Sequence, residues 1–153
     1  GWVVWNRQVK FGGYEVNWRA ACAIREATRP SDRVLLTAPG LHKYMPFYSR
    51  RCVYSREAEP GKLGVHYLNS HVMIRDEPDL AEHVRGHFAE YDVIVLGDLG
   101  EARRGFSCFN AGTSDEILRK FGFYAENGIL RTVMEQKSIR KERRGAFLFY
   151  WTR

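Results

Sequence analysis

One run of residues constrains the fold of this chain more than any other. It extends from Asp92 to Asp98 and reads DVIVLGD, so that four consecutive apolar residues stand near its middle. A short apolar run rich in valine and isoleucine is typical of a strand that is covered on both faces, as in a parallel sheet. The run therefore predicts an α/β fold.

The segments that precede this strand alternate between helix and strand. Apolar residues recur at helical spacing across residues 15–28, and the short run at 34–36 reads as a buried strand. A short helix over 42–50 and a strand over 52–54 follow, and a longer helix occupies 76–91. This order is the one expected of a parallel sheet with helical connections.

The C-terminal third shows a different pattern. Thr113-Ser114-Asp115-Glu116 provides a cap for a short helix through Leu118 and Phe121. Asn127-Gly128 stands between two apolar runs and predicts a hairpin, with strands at 123–126 and 129–134. A final aromatic strand at 146–152 completes the pattern, which indicates antiparallel pairing in this part of the sheet.

No repeat or flexible linker divides the chain, so residues 1–153 are expected to form a single domain. The predicted architecture is α/β, a three-layer-like sandwich with a mixed sheet, parallel first and antiparallel at its C-terminal edge. The stretch 57–75 stays unassigned, with a short strand or a turn at 65–68 and at 72–74.

Composition excludes several classes of protein. The longest uninterrupted apolar run, residues 146–151, has six residues, whereas a membrane-spanning helix needs about 20. The chain has neither a glycine-rich phosphate loop nor a GxSxG nucleophile elbow, so no cofactor is expected. Three cysteines at wide spacing form no disulfide framework, although pairing of Cys52 with Cys108 stays open.

His83 and His87 stand four residues apart on the predicted helix 76–91. This spacing places two imidazoles on one face, as in many zinc sites. The residue after His83 is Val84, where a metalloprotease has its general-base glutamate, and no third ligand is evident. Two histidines on a solvated helix surface are the favoured interpretation, and no metal site is predicted.

Asp98 follows the buried strand directly, at the carboxyl end where open α/β sheets hold their ligands. Glu101, Arg103 and Arg104 come next, and a carboxylate beside two guanidinium groups suits a sugar hydroxyl or a phosphate. An aspartate that caps a loop, with ion pairs beside it on the surface, explains the same residues. Asp98, Glu101, Arg103 and Arg104 are the candidate ligand-binding residues.

The positive charge of the chain is concentrated near its C-terminus. Residues 131–153 carry seven lysines and arginines against two glutamates, whereas the whole chain has a net charge of +6. The basic patch consists of Lys137, Arg140, Lys141, Arg143 and Arg144. It fits a solvated hairpin loop, a contact with anionic lipid, or a contact with nucleic acid in which the following aromatic residues would stack on bases.

Four segments, in their order along the chain, resemble a known family: Ala23-Ile24-Arg25, RPSDRVLL at 29–36, FYSRR at 47–51 and YDVIVL at 91–96. They are similar to the C-terminal domain of multi-spanning GT-C glycosyltransferases, the relatives of protein O-mannosyltransferases and lipid A aminoarabinose transferases. The resemblance covers residues 15–98. It implies a polyprenyl-phosphate sugar as the donor of the full enzyme.

The resemblance also implies a location and a role. The domain would be tethered to the membrane on the extracytoplasmic side, with residues 1–14 as a juxtamembrane stub and the membrane-spanning remainder of the polypeptide as its partner. In the family the catalytic carboxylates lie in a loop near the start of the full-length enzyme, and no segment here matches it, so no catalytic residue is carried over. The basic patch would then rest on anionic lipid or guide a lipid-phosphate sugar.

The leading hypothesis is thus an accessory domain of a membrane glycosyltransferase that positions acceptor or donor without catalysing transfer. A second hypothesis is a small stand-alone α/β transferase or hydrolase that uses Asp98 with Arg103 or Arg104. A third is a nucleic-acid-binding module built on residues 137–144.

Overall fold

The computed structural model describes residues 2–37, 65–67 and 77–153, with side chains described for 15–37 and 77–153. Its helices are α1 (Trp2–Ala27), α2 (Glu77–His87), α3 (Leu99–Gly105), α4 (Asp115–Lys120) and α5 (Ile129–Lys137), and a 3-10 helix (Phe88–Glu90) follows α2. Its strands are β1 (Val34–Leu36), β2 (Val65–Tyr67), β3 (Val93–Asp98), β4 (Phe123–Tyr124), β5 (Arg140–Arg144) and β6 (Phe147–Trp151).

The six strands form one mixed sheet. β1 lies between β2 and β3 and is parallel to both. β6 pairs antiparallel with β3, and β5 pairs antiparallel with β6, which makes β5 an edge strand. β4 pairs in parallel with Gly97 and Asp98, beyond the end of β1. The predicted mixed sheet, parallel first and antiparallel at its C-terminal edge, is confirmed.

Helices cover both faces of the sheet, and alternate residues of β3 serve the two cores. Val93 and Val95 pack with α1, α3 and the aromatic residues around them. Ile94 and Leu96 pack with α2 and α5. Because every residue of β3 is buried, both faces of the strand are covered, which explains the consecutive apolar residues of DVIVLGD. The three-layer arrangement follows from this double coverage.

The predicted helix at residues 15–28 is the second half of α1, which begins at Trp2. Val16, Ala20 and Ile24 recur at helical spacing and are fully buried against the sheet. Ala23 belongs to the same core, and its small side chain lets the helix lie close to the strands. The alanine-rich face thus sets how near α1 approaches.

The direction of α1 relative to the sheet matters for function. The connection to β1 is short, so α1 runs antiparallel to β1 and passes from the carboxyl edge of the parallel strands to their amino edge. Six strand residues of β3 span about 20 Å, and so do about thirteen helical residues. Residues 15–27 therefore cover the sheet, and residues 2–14 continue the helix for about 20 Å beyond it.

A hydrogen bond marks the place where α1 reaches the carboxyl edge. Ser107 follows α3, which starts at the end of β3, and its hydroxyl donates to the Glu15 carboxylate over 2.8 Å. Arg19, one turn later, donates to the carbonyl oxygen of Gly105 over 2.6 Å. The N-terminal half of α1 therefore lies on the carboxyl side of the sheet.

The predicted hairpin around Asn127-Gly128 is wrong, because residues 129–134 belong to helix α5. Gly128 is the N-cap with φ −71° and ψ 159°, whereas the hairpin turn typical of Asn-Gly needs a positive φ. The Glu77 carboxylate accepts the Leu130 backbone N–H over 3.0 Å and so supplies the cap from a distant part of the chain. Leu130, Val133 and Met134 then form the buried face of the helix.

Residues 140–144 of the basic patch form the edge strand β5. A solvated hairpin loop was one interpretation of this segment from the sequence. Residues 140–144 pair with β6 over their whole length. The hairpin turns at Gly145, whose φ of 59° lies in the left-handed region that glycine adopts readily. Charged residues on an edge strand discourage pairing with other chains, which explains a strand without an apolar pattern.

The remaining predictions have mixed outcomes. The strand alternative at 65–68 is confirmed by β2, and the helix at 76–91 is confirmed as α2 with the 3-10 helix after it. Ser114 caps α4 as predicted, its hydroxyl accepting the Ile117 N–H. The predicted helix at 42–50 and the strands at 52–54 and 72–74 lie outside the described residues.

Candidate functional site

Asp98 ends β3 at the carboxyl edge and is the N-cap of α3. Its Oδ1 accepts the Glu101 backbone N–H over 2.9 Å. Its Oδ2 accepts Nη1 of Arg131 and Nη2 of Arg143, each over 3.0 Å. Both carboxylate oxygens are therefore engaged within the protein.

These contacts determine the protonation of Asp98. Burial on its own would raise the pKa of the carboxyl group. The Glu101 N–H, the hydrogen bond from Arg143 and the charge of Arg131 outweigh burial, and the pKa of Asp98 is lowered below its ordinary value. Asp98 is thus a stable anion, which makes it a weak base and leaves it no proton to donate near neutral pH.

Arg131 is the residue of this cluster that the sequence analysis missed. Its side chain is only 4% exposed, and Nη1 also contacts the Tyr124 carbonyl oxygen at 3.4 Å. A buried aspartate needs a countercharge, but the incorrect hairpin assignment hid the fact that an arginine on α5 supplies it. Asp98 was expected to bind a ligand at the end of β3. Its charge is instead neutralised by two arginines of the chain, Arg131 and Arg143.

The other candidate ligand-binding residues lie close by without converging on Asp98 through their side chains. Glu101 pairs with Arg104 on the surface of α3. Arg103 pairs with Asp115 and also donates to the Thr113 carbonyl oxygen over 2.6 Å. Among the predicted residues 98, 101, 103 and 104, only the backbone of Glu101 touches the Asp98 carboxylate.

The five residues of the basic patch lie on both faces of the sheet, and they extend from its carboxyl edge to its amino edge. Residues 141 and 143 contact carboxylates on the α5 side: Lys141 pairs with Glu135 over 2.6 Å, and Arg143 pairs with Asp98. Residue 144 pairs with Glu142 over 2.7 Å. The ammonium of Lys137 lies over the Phe88 ring, and the guanidinium of Arg140 lies over the Trp151 ring at 3.9 Å from its centroid.

Glu135 joins Lys141 to the core. The Tyr150 hydroxyl donates to Glu135 over 3.0 Å. Burial on its own would raise the pKa of Glu135, but the hydrogen bonds from Lys141 and Tyr150 outweigh it and lower the pKa. Burial, followed by the Glu135 charge, raises the pKa of Tyr150. The phenol is therefore a fixed donor that orients this ion pair.

The aromatic residues after the basic patch are part of the core. All five residues of β6, Phe147 to Trp151, are buried between the helical layers. Base stacking requires an exposed ring face, so β6 provides no stacking platform.

A cleft of about 350 Å³ opens between α1, α3 and the turn from β5 to β6. Its floor includes Phe106 and Phe147, and Trp18 beside it is 47% exposed. Its charged rim is formed by Arg19, Glu26, Glu101 and Arg144. This Trp18 cleft opens at the carboxyl edge, runs along α1 as far as Glu26, and contains one predicted ligand-binding residue, Glu101.

The predicted absence of a metal at His83 and His87 rests on the spacing of ligands in the sequence. In the structure the two rings stack with centroids 4.4 Å apart. Burial, followed by the nearby charge of His87, lowers the pKa of His83. Within residues 15–37 and 77–153, whose side chains the structure describes, no group of three or more His, Cys, Asp or Glu side chains is arranged to hold a metal ion.

Of the two cysteines whose pairing the sequence leaves open, Cys52 lies outside the described residues. Cys108 is a half-buried free thiol, and burial, with the Glu15 carboxylate second, raises its pKa to about 11. A thiol with so high a pKa is a poor nucleophile at neutral pH. Cys22 is half-buried beside the Trp18 cleft.

In the part of the chain that the structure describes, no helix, including the long α1, combines the length and apolar character needed to cross a membrane. Comparison with protein-family models, with curated proteins and with solved structures found no match.

Proposed function

We propose that the chain is an accessory domain of a polyprenyl-phosphate-sugar-dependent membrane glycosyltransferase, and that it positions the sugar of the donor or of the acceptor without catalysing its transfer. The Trp18 cleft is the observation that carries this proposal. It combines a half-exposed indole with carboxylates and guanidinium groups, as a sugar requires. The apolar face of a sugar ring would lie on Trp18, and its hydroxyls would meet Glu26, Glu101 and Arg144.

The direction of α1 is consistent with this role. Residues 2–14 extend the helix on the carboxyl side of the sheet, which is also the side of the Trp18 cleft. A membrane-spanning remainder joined before α1 would therefore face the cleft. The resemblance of residues 15–98 to GT-C relatives supplies the class of enzyme, and the cleft supplies the group that would be held.

The state of Asp98 supports a role without catalysis. A general acid or base needs a free carboxyl oxygen and a pKa near the working pH. Asp98 has neither, because both oxygens are engaged and its pKa is lowered. The alternative of a stand-alone enzyme centred on Asp98 therefore has less support, as does nucleic-acid binding on the buried aromatics of β6.

The binding step is tested by titrating the 153-residue chain with methyl α-mannoside and methyl β-glucoside while nuclear magnetic resonance follows the indole N–H of Trp18. We expect a saturable shift, lost in Trp18→Ala and weakened in Glu101→Gln. Ile139→Ala is the matched control, because Ile139 is an exposed apolar residue at the opposite edge of the sheet. Absence of any shift with both glycosides, or equal loss in the control, would contradict a sugar-positioning cleft.

The accessory role has two further tests. The isolated chain should transfer no sugar from a polyprenyl-phosphate donor, and transfer by these residues alone would overturn the non-catalytic assignment. In the gene, the coding sequence upstream should encode several apolar stretches of about 20 residues each. Their absence would remove the membrane enzyme from the proposal.

A further inference from the structure

A second cleft, of about 440 Å³, lies at the amino edge of the parallel strands, at the far end of β5 from the Trp18 cleft. Its volume is within the range of small-molecule sites. The residues that form it come from the end of α1 and the loop after it, from the start of β5 and the residue before it, and from the end of β6 and the residues after it: Ala27, Arg29, Asp32, Ile139, Arg140, Trp151 and Arg153. Three of these seven side chains carry a guanidinium group.

Arg140 differs from the other cations of β5. Lys141, Arg143 and Arg144 each pair with a carboxylate. In the described residues no carboxylate pairs with Arg140, whose guanidinium carbon lies over the Trp151 ring, 3.9 Å from its centroid. Stacking holds the group in place and leaves the N–H donors at its edge for another acceptor.

The charges around Arg140 do not balance within the cleft. Asp92 is shared by Arg33 and Arg153. Asp32, which is buried, pairs with Arg29 and accepts its backbone N–H over 2.8 Å. Together with Arg140, four guanidinium groups stand beside two carboxylates in the cleft and next to it, which leaves a side-chain charge of +2.

The rim of this cleft is also apolar on one side. Ile139 is 69% exposed, the largest exposed fraction among the large apolar residues of the described chain. Its backbone N–H is held by the Trp151 carbonyl oxygen over 3.0 Å, so its position beside the arginines is fixed. Protection of an edge strand needs charge alone. It does not explain an exposed isoleucine, a stacked arginine and a cavity at one place.

We propose that this amino-edge cleft binds a small, soluble phosphate monoester. The phosphate lies on the N–H edge of Arg140, with Arg29 and Arg153 on either side, and the organic part of the ligand packs on Ile139. A phosphate monoester carries a charge of about −1.5 to −2 at pH 7, which matches the excess positive charge of the cleft. Planar guanidinium groups bind phosphate oxygens in pairs, which a lysine cannot do.

The site is independent of the proposed function, because it lies at the opposite edge of the sheet and shares no residue with the Trp18 cleft. The probe is phenyl phosphate, with phenol as the matched compound that lacks the phosphate. Binding to the 153-residue chain is followed through the indole N–H of Trp151. We expect a saturable shift with phenyl phosphate and none with phenol at the same concentrations.

Two variants with the same change in net charge separate a site from general attraction. Arg140→Gln should weaken binding by at least about tenfold, the loss expected for one charge-assisted pair of hydrogen bonds. Lys141→Gln, the next residue on the other face of β5, should change it by less than about twofold, since its charge is already paired. Arg29→Gln is the second cleft variant and should weaken binding by about threefold. Because the Arg29 side chain is 83% exposed, its replacement should leave the fold intact, so this variant tests the site even if Arg140→Gln does not fold.

Three results would overturn the proposal. Equal weakening in Arg140→Gln and Lys141→Gln would show general charge attraction. Absence of a shift with phenyl phosphate would show that the cleft holds no phosphate monoester. Binding to phosphatidic acid vesicles without binding to phenyl phosphate would assign the arginines to a lipid surface and remove the soluble ligand.

Discussion

The two edges of the sheet use the same kinds of residue in opposite ways. At the carboxyl edge, Asp98 is enclosed by Arg131 and Arg143, and among the buried side-chain polar atoms of these three residues Arg131 Nε is the one without a hydrogen-bond partner. At the amino edge, Arg140 and Arg29 are exposed, and four guanidinium groups stand beside only two carboxylates. β5 connects the two, because Arg143 lies near one edge and Arg140 at the other.

The difference comes from burial. A buried ion pair keeps its Coulomb attraction because water does not screen it, and breaking it leaves a desolvated charge behind. Removal of the partner of an exposed guanidinium changes the stability of the fold little, and the guanidinium is accessible to a ligand. The cluster of Asp98, Arg131 and Arg143 should therefore govern the free energy of unfolding. Arg140 and Arg29 at the amino edge should govern ligand binding. Substitutions at Arg131, Asp98, Arg140 and Arg29 test this division.

The largest effect should come from Arg131→Met, which fills a similar volume and removes the buried cation. Asp98 then keeps a buried charge with only the partly exposed Arg143 beside it. Removal of one partner of a buried pair costs about 3–5 kcal/mol, so we expect a loss of this size in the free energy of unfolding, measured by urea denaturation. Arg104→Met is the control, since its ion pair with Glu101 is on the surface and should contribute less than about 1 kcal/mol. Similar losses in both variants would contradict the division.

The next effect depends on pH. The pKa of Asp98 is lower in the folded chain than in the unfolded chain, so its contribution to stability is full above the unfolded value of about 4 and is lost as the pH falls through the folded value. Asp98→Asn keeps a good N-cap residue but removes the charge, and we expect it to cost about 1–3 kcal/mol at pH 7.

Below the folded pKa of Asp98, the wild-type carboxyl group is neutral, as the asparagine side chain is at every pH. The stability difference between wild type and Asp98→Asn should therefore shrink towards zero as the pH is lowered from 6 to 2. Denaturation at a series of pH values measures this directly. Glu135, whose pKa is also lowered, should leave a second acid-dependent loss in the variant. A difference that stays constant with pH would mean that Asp98 contributes through packing and capping alone.

The third effect is at the amino edge. Arg140→Gln removes the guanidinium from Trp151, and exposed cation–π contacts contribute about 0.5–1 kcal/mol. We expect the thermal midpoint to fall by only about 1–4 °C in a domain of this size. A loss as large as that of Arg131→Met would place Arg140 among the structural residues and not at a ligand site.

The sequence allowed the central strand β3, the second half of α1, and helices α2 and α4 to be predicted, because each has a local signal. The apolar composition of DVIVLGD indicates a buried strand, and the helical spacing of Val16, Ala20 and Ile24 indicates the buried face of α1. Helix α5 could not be predicted in the same way. Asn127-Gly128 favours a hairpin locally, and the cap that starts the helix comes from Glu77, on another element.

The candidate site was predictable only in part for the same reason. The position of Asp98 at a carboxyl edge follows from the strand, but its neutralisation by Arg131 depends on the packing of α5. The basic segment has no apolar periodicity, so only pairing with β6 makes it a strand. That pairing sends Lys141 and Arg143 to one face and Arg140 to the other, a separation that net charge alone does not reveal.

The smallest effect should come from Arg29→Gln, and it tests the comparison most directly. Arg29 is 83% exposed and pairs with Asp32 at 3.6 Å, so the variant should change the free energy of unfolding by less than about 0.5 kcal/mol. Asp32 does not become an unpartnered buried carboxylate, because the Arg29 backbone N–H still donates to it whatever the side chain is. Urea denaturation measures the stability, and phenyl phosphate titration measures the binding. Unchanged stability with weaker binding is the combination that an open, ligand-facing edge requires, whereas a stability loss above about 1 kcal/mol would make the amino edge a second structural cluster like the one at Asp98.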